Sequence, residues 1–491
     1  MKKNILHEVA LPYSSPITIL KKLNPSDPYC LFESSEIDQH SERLSLLGIN
    51  PSLEFIGKSY SCTIKLLDIR AKEMFEAFKQ QFALLITKDG DNQLTLEFVK
   101  EDFSKSEDQR FEISCAAQVI RYFLKAFKSK EQSYTGLYGA LGYNFVYPFE
   151  ELETSKSTET PDFHLFYFDT LFVFNHLMEQ LQLICLRETK PRAELISEEL
   201  IALLKNAPSK QSESLKIGLA SLRPTEEDFK KQILKAKGLF AKGEVMELVL
   251  SRKMTADIQG DVLELYESYK KINPSPYLFF LEFGDSQLFG ASPEIMVRAE
   301  KGRVYLKPIS GTAPRGNNAV EDHERLMELL NSEKEKSELD MLIDLGRNDL
   351  SRICKPGVKI DNYRSIEKYS HVFHTVAMVS GDLEEGKSGI DALIACLNAG
   401  TLTGTPKNAA MKYIEEIETH SRGYYGGCVG YFLMNGDVNT AITIRSAYIK
   451  ENQLSYLSGA TLLYECDPDF EITETKIKAA AFQQALKAFQ V

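Results

Sequence analysis

From residue 245 onward the chain consists largely of apolar, β-branched and aromatic runs broken by glycine: "YLFFLEFG", "QLFGASPEIMVRAE", "RVYLKPISGT", "GGCVGYFLMNGDVNTAITIRSAYI" and "QLSYLSGATLLYE". Runs of this composition read as strands, and glycine within them marks bulges, bends or close approach of another backbone. "NGD" at 435–437 reads as a hairpin turn between two of them. Helical stretches such as "TEEDFKKQILKAKGLFAKG" are interspersed with the strands without alternating one for one. That pattern predicts an antiparallel α+β fold rather than a doubly wound sheet. Residues 1–205 mix strand-like "TLFVFNHLM" with the amphipathic "AAQVIRYFLKAF", and "DFSKSEDQR" and "ELETSKSTETPD" read as surface loops. The Ser-, Lys- and Pro-containing "KNAPSKQSESLK" reads as a linker, giving a division into 1–205, a linker at 206–222, and 223–491.

The net charge of −12, from 70 acidic and 58 basic residues, argues against nucleic acid or an anionic membrane surface as a main partner. An anionic substrate would then need locally placed cations or a metal. No apolar run is long enough to span a membrane. His7, Glu8 and Pro12 interrupt any signal-peptide core at the start. The eight cysteines are scattered without a C-x-x-C, which predicts a reducing, cytoplasmic location and no zinc site.

Two pairs of glutamates carry the first chemical signal. Glu471 and Glu474 in "DPDFEITETKIKAAA", and Glu335 and Glu338 in "SEKEKSELDMLIDLGRND", are each three apart on a predicted helix, so each pair shares a face. One pair alone reads as a solvated helix face. Two pairs facing each other suit magnesium, which takes a few carboxylate oxygens and completes its shell with water and substrate. Arg445, in the otherwise apolar "ITIRSAYI", is expected to be paired because an isolated buried charge is costly. Lys478 follows Glu474 by four residues, the spacing of a helical salt bridge. "LSGATLL" and "YYGGCVG" can bring backbone N–H groups to a carboxylate, although such glycines also mark ordinary hairpins. His374 and His371 form an H-x-x-H with no further ligand nearby, so one of them reads as a core or catalytic imidazole. "GTLTGTPK" lacks phosphate-loop spacing.

Taken in order, "NPSPYLFFL", "FGASPEIMV", "PISGTAPRG", "SELDMLIDLGRNDLSRIC", "YSHVFHTV", "GTLTGTPK", "RGYYGGCVGYF", "GDVNTAITIRS" and "GATLLYECDPDFEITETKIKAAA" resemble the chorismate-utilising enzymes, and within them the anthranilate synthase component I group. The resemblance covers residues 223–491, and extends more loosely through "CLFESSEID" and "GLYGALGYNF" into an N-terminal regulatory region. It implies two interwoven subdomains whose antiparallel sheets form a sandwich flanked by helices. It also implies Mg²⁺ on Glu338 and Glu474, supported by Glu335 and Glu471, and chorismate bound by Thr401, Tyr425, Arg445, Lys478 and the amides of Gly459 and Ala460. Glu294 matches the residue that protonates the leaving hydroxyl, with the metal carboxylates expected to keep it protonated by repulsion. His374 matches a histidine beside the substrate ring.

Within that group the resemblance implies conversion of chorismate and ammonia to anthranilate and pyruvate, the first step of tryptophan synthesis. Water-using relatives carry a base lysine where this chain has Glu247, and the aminodeoxychorismate group carries a nucleophilic lysine where it has Ser310. Ser310 and Thr461 depart from the common pattern and are similar to fused anthranilate synthases and to phenazine-pathway enzymes. The alternatives are therefore a 2-amino-2-deoxyisochorismate synthase that retains pyruvate, or an inactive tryptophan-sensing paralogue. Glu33 and Ser34, with Asn273, Pro274, Ser275 and Tyr277, match a tryptophan feedback pocket. The chain contains no tryptophan beside 28 Phe and 22 Tyr, a composition suited to an enzyme made when tryptophan is scarce. No glutaminase segment follows the last helix, so a separate glutamine amidotransferase subunit is expected, in a heterodimer or heterotetramer.

Overall fold

The computed structural model describes residues 5–34, 44–100, 107–129, 134–187, 189–206, 213–368 and 372–490. His371, residues 35–38 of "LFESSEID", and 207–212 of the expected linker lie outside the described residues. Two antiparallel sheets, each of 13 strands among the described residues, make up the body.

Neither sheet belongs to one side of the 206–222 stretch. In the first sheet Tyr29–Glu33 pairs with Tyr277–Glu282, setting Phe32 opposite Phe279. In the second, Gly136–Leu141 pairs with Cys428–Leu433, setting Leu141 opposite Cys428. The expected linker is itself only partly loop. Lys216–Ile217 and Ser221–Arg223 pair with the long strand Glu247–Gln259. Such short strands cover an edge that would otherwise leave a row of unpaired backbone groups.

Alternation of side chains explains why so many strands read as continuous apolar runs. Leu171 and Val173 point into the space between the sheets, while Phe172 and Phe174 point to the outer face of the first sheet. Phe279 and Leu281 point inward, Leu278 and Phe280 outward. In the second sheet Phe166 and Phe168 meet the first sheet, whereas Phe163, Leu165 and Tyr167 face helices. Both faces are buried, so neither shows the polar alternate positions of a solvated sheet. Each fully buried Leu or Phe contributes about 1.5–3 kcal/mol.

The outer faces are covered by helices. Lys72–Gln81, Ala117–Ala126, Glu333–Ser351 and Gly389–Cys396 pack on the second sheet; Pro16–Leu23, Lys190–Asn206, Val262–Ile272 and Pro468–Lys487 pack on the first. Among the described residues no helix is long and apolar enough to cross a membrane. Because the sheets interleave both parts of the chain, residues 223–491 expressed alone should lack a cooperative thermal transition. A calorimetric trace matching the full chain would overturn this architecture as the unit of stability.

Candidate active site

At residues 443–445 the chain leaves the second sheet, where Val438–Ile442 ends, and enters the first, where Ser446–Lys450 begins. Arg445 is therefore not inside a continuous strand as its apolar neighbours suggest. It sits at the crossing with φ 50°, a left-handed conformation that costs a residue with a side chain about 1 kcal/mol or more. Its carbonyl is fixed by the Ala291 N–H at 3.1 Å and the Tyr269 hydroxyl at 3.2 Å. No side-chain carboxylate among the described residues pairs with its guanidinium, which leaves it for the carboxylate ligand expected to pair with it. Its charge acts on Tyr425, Tyr456 and His374.

The same crossing opens one edge of the strand Gln453–Leu462. Its pairing with Ser446–Lys450 stops at Tyr456, while its pairing with Glu247–Gln259 continues to Leu462. Ser251, opposite Gly459, donates its N–H to Glu418 at 2.7 Å, away from this strand. By the alternation of an antiparallel ladder, the polar groups of Gly459 then face the open edge, and those of Ala460 turn into the ladder with Leu250. The Lys478 ammonium on the Gly459 carbonyl, at 3.0 Å, agrees with that assignment. Of the two expected amide donors, Ala460 is thus spent in the sheet. The residue that shares the Gly459 edge is Thr461, which stands out in the sequence as a departure from the common pattern but not as an amide donor. Gly459 is required for a further reason: a Cβ there would lie 2.7 Å from the Tyr425 hydroxyl.

Around this edge the expected residues form a closed circuit. Glu294, in the turn between Ser286–Ser292 and Ile295–Glu300, accepts from the Thr401 hydroxyl at 3.3 Å on both oxygens and feels Lys478. Lys478 also bonds Glu474 at 2.7 Å, so the helical salt bridge is present as well. Glu474 lies near Glu338, and Glu338 near Glu335. A Cβ on Gly311 would come within 3.0 Å of the Glu335 carboxylate, and the Gly311 backbone bonds His374. His374 feels Arg445, Arg445 acts on Tyr425, and Tyr425 abuts Gly459. Gly311 and Thr312, also absent from the sequence reading, line the His374 side. Gly311 has φ 70° at a bulge opposite Thr375 and His374, and Thr312 shares a 2.9 Å hydrogen bond with His374 Nδ1. The signal was present in "PISGT", where a glycine interrupts a strand.

Burial sets the protonation states. Glu294 is pushed up to about 8 by loss of water, against the Thr401 hydrogen bond and the Lys478 charge, which both pull the other way. Glu338 and Glu474, whose repulsion was expected to keep it protonated, are not among the groups acting on it. His374 is lowered, chiefly by burial, and is held as the neutral imidazole. Glu471 is pushed up to about 8, by burial and then by Glu474. Burial and the Glu335 and Glu474 charges raise Glu338, and burial with Glu338 carries Glu247 to about 7. The buried Glu471 Oε2 has no hydrogen-bond partner. This cluster suits a hard cation: it is all carboxylate, mutually repelling, and retains an unsatisfied buried oxygen. Among the described residues no three side chains of ligand type are already gathered into a cage, so water and substrate oxygens would complete the shell.

Ser310, at the position of a covalent lysine in one group of relatives, donates to the Glu335 carbonyl at 3.2 Å, and its own carbonyl accepts from Thr375. It braces the Glu333–Ser351 helix. The expected tryptophan residues lie together at the junction of Tyr29–Glu33 and Tyr277–Glu282, with Leu278 opposite Glu33. The Glu33 carboxylate is occupied by Tyr266 at 2.6 Å and Lys270 at 3.0 Å. Ser275 donates to the Ala291 carbonyl. Asn273 donates to the Tyr269 hydroxyl, which reaches the Arg445 carbonyl, so one tyrosine separates this region from the circuit.

A sandwich of two antiparallel sheets, with glutamates on two helices facing an arginine, a lysine and exposed strand amides, defines an enzyme site for a small carboxylated molecule. The chain belongs to the chorismate binding enzyme family, which it matches over residues 73–484. It is 40% identical over 370 residues to "Anthranilate synthase component 1" of Neisseria gonorrhoeae, covering 72% of this chain and 75% of that protein. It is 33% identical to the protein of that name from Buchnera aphidicola subsp. Rhopalosiphum maidis, covering 93% and 92%. The crystal structure of anthranilate synthase component I from Streptococcus pneumoniae TIGR4 superposes with a TM-score of 0.72 at 28% identity, covering 91% and 93%.

The carboxylate cluster yields a direct expectation. Saturating Mg²⁺ should raise the thermal midpoint, by about 2.7 kcal/mol of stability at a hundredfold excess over Kd. Scanning calorimetry of Glu338→Gln and Glu474→Gln should show this increment lost; an unchanged increment would place the cation elsewhere.

Proposed function

We propose that this chain is the large subunit of an anthranilate synthase, adding ammonia to chorismate and then releasing pyruvate to leave anthranilate. The observation that carries the reading is the circuit itself: a carboxyl held protonated to about 8, a neutral imidazole and two cationic side chains around one open strand edge.

Ammonia forms a bond to C2 as the C4 hydroxyl departs. Hydroxide leaves poorly, and Glu294 supplies the proton that lets it leave as water. In the second step the proton on C2 is taken up, the C3–O bond breaks, and the ring becomes aromatic; His374, neutral and braced by Thr312, receives that proton. Arg445 and Tyr425 hold the enolpyruvyl carboxylate. The Gly459 and Thr461 amides face the ring carboxylate, and Lys478 stands between it and Glu294. Mg²⁺ held by Glu338 and Glu474, with Glu335 and Glu471 in support, would supply a Lewis acid at the ring carboxylate. Ammonia is favoured over water because Glu247 stands where a base lysine would activate water, and a covalent route is disfavoured because the Ser310 hydroxyl is tied to a backbone carbonyl.

Ammonia would come from a glutamine amidotransferase partner, in a cytoplasmic hetero-oligomer, and tryptophan would bind at Glu33, Ser34, Asn273, Pro274, Ser275 and Tyr277. The Glu33 contacts to Tyr266 and Lys270 support a role in fixing that region.

The deciding experiment incubates the chain with chorismate, Mg²⁺ and saturating ammonium. Anthranilate fluorescence with equimolar pyruvate supports the reading; amination without pyruvate would instead make it a 2-amino-2-deoxyisochorismate synthase. Because Glu294 acts in its protonated form, kcat at saturating ammonia should fall as pH rises through about 8. Glu294→Gln should remove that limb and lower kcat by roughly 10²–10⁴-fold. Substituting Ser34 with Ala should weaken tryptophan inhibition at an unchanged uninhibited rate; inhibition of wild-type strength would refute the regulatory assignment.

A further inference from the structure

Thr401, which holds Glu294, lies in the short helix Gly400–Thr403, within residues 397–406 that join the helices Gly389–Cys396 and Lys407–Ile417; Gly404–Thr405 of the same segment pairs with Glu247–Leu248. Both ends of this segment meet at one ammonium. The Lys407 Nζ donates to the Cys396 carbonyl at 3.0 Å and to Asp349 Oδ2 at 2.7 Å. Asp349 is buried in the last turn of Glu333–Ser351, the helix that carries Glu335 and Glu338. The side chains of Lys407 and Asp349 are only 11% and 8% exposed, so screening by water is weak. Between these ends the segment packs against the same helix: a Cβ on Gly400 would lie 2.5 Å from Leu345 Cδ2. Arg422 also holds the Leu402 carbonyl at 2.6 Å.

We infer that the Lys407–Asp349 ion pair is a positioning device for catalysis: it closes the looping segment 397–406, with its short helix Gly400–Thr403, onto the helix bearing Glu335 and Glu338 and so sets Thr401 against Glu294. Neither residue touches the circuit. Their effect passes through the loop, which ties the acid on one wall to the carboxylates on the other. The inference rests on the anthranilate synthase reading only where turnover is the readout.

The test is a cycle of Lys407→Met, Thr401→Val and the double variant. Lys407→Met should lower kcat by roughly 10–100-fold with KM little changed, the scale of a small misplacement of a catalytic group. It should also move the falling pH limb in the same direction as Thr401→Val, and Thr401→Val should add little further loss in the Lys407→Met background. Losses that multiply, or a pH limb unmoved by Lys407→Met, would overturn the inference. Lys407→Arg, keeping the charge, should recover part of the rate. Where Lys407→Met does not fold, Asp349→Leu with Lys407→Met removes both charges together and takes its place in the cycle. The carboxyl resonance of Glu294 in ¹³C-glutamate-labelled protein, identified by its loss in Glu294→Gln, reads the same contact without turnover. If the wild type leaves chorismate untouched, the proposed function fails, while a Glu294 resonance displaced alike by Lys407→Met and Thr401→Val still upholds the positioning role and an undisplaced one rejects it.

Discussion

Burying both faces of two sheets constrains everything else in this molecule. Inner faces pack on each other through residues such as Phe166, Phe168, Phe279 and Leu281, and outer faces are covered by helices. A chain that must serve two such layers has to cross between them. Where it crosses at 443–445, one strand edge loses its neighbour and an arginine is held in a left-handed conformation. The site is built on that discontinuity. Its backbone donors are free because the sheet ends there, and its cation is fixed because the backbone on either side belongs to different layers.

Around that break, charges of opposite sign are kept at close quarters, and only Lys478 and Glu474 form a direct ion pair among the described residues of the circuit. Lys478 divides its three donors between Glu474 and the Gly459 carbonyl while acting on Glu294. On one side of it Glu294 is held protonated by burial; on the other, Glu338, Glu471 and Glu247 are raised by burial and by one another. The site thus sets cationic side chains and open backbone donors where an anion can meet them, inside a chain whose overall charge of −12 would repel an anion. Local placement outweighs net charge because the groups involved are within a few ångströms and shielded from water.

Much of the site was legible in the chain. The two i,i+3 glutamate pairs, Lys478 one turn beyond Glu474, and the glycine at 459 are short-range patterns, and helical or strand periodicity converts them directly into directions. What could not be read was anything that depends on which strand lies next to which. From the chain alone Ala460 is as good an amide donor as Gly459; the ladder with Leu250 turns its polar groups into the sheet. Arg445 read as a residue inside a strand because the apolar run around it is unbroken, although it spans two sheets. The proton on Glu294 was attributed to carboxylate repulsion, and packing shows burial doing it instead. Lys407 and Asp349 sit 58 positions apart, with no pattern joining them.

The sequence by itself determined the element types, the antiparallel α+β class and the shared faces of the two glutamate pairs, since these follow from backbone geometry over a few residues, while Glu294, His374, Thr401 and Tyr425 were pointed to by the resemblance of their motifs. Only the tertiary structure decided that residues before 205 and after 223 share both sheets, where the chain changes layer, which amides are left unpaired and which carboxyls lose their water. Those outcomes depend on contacts between distant segments, and a linear order of residues carries no measure of the space between them.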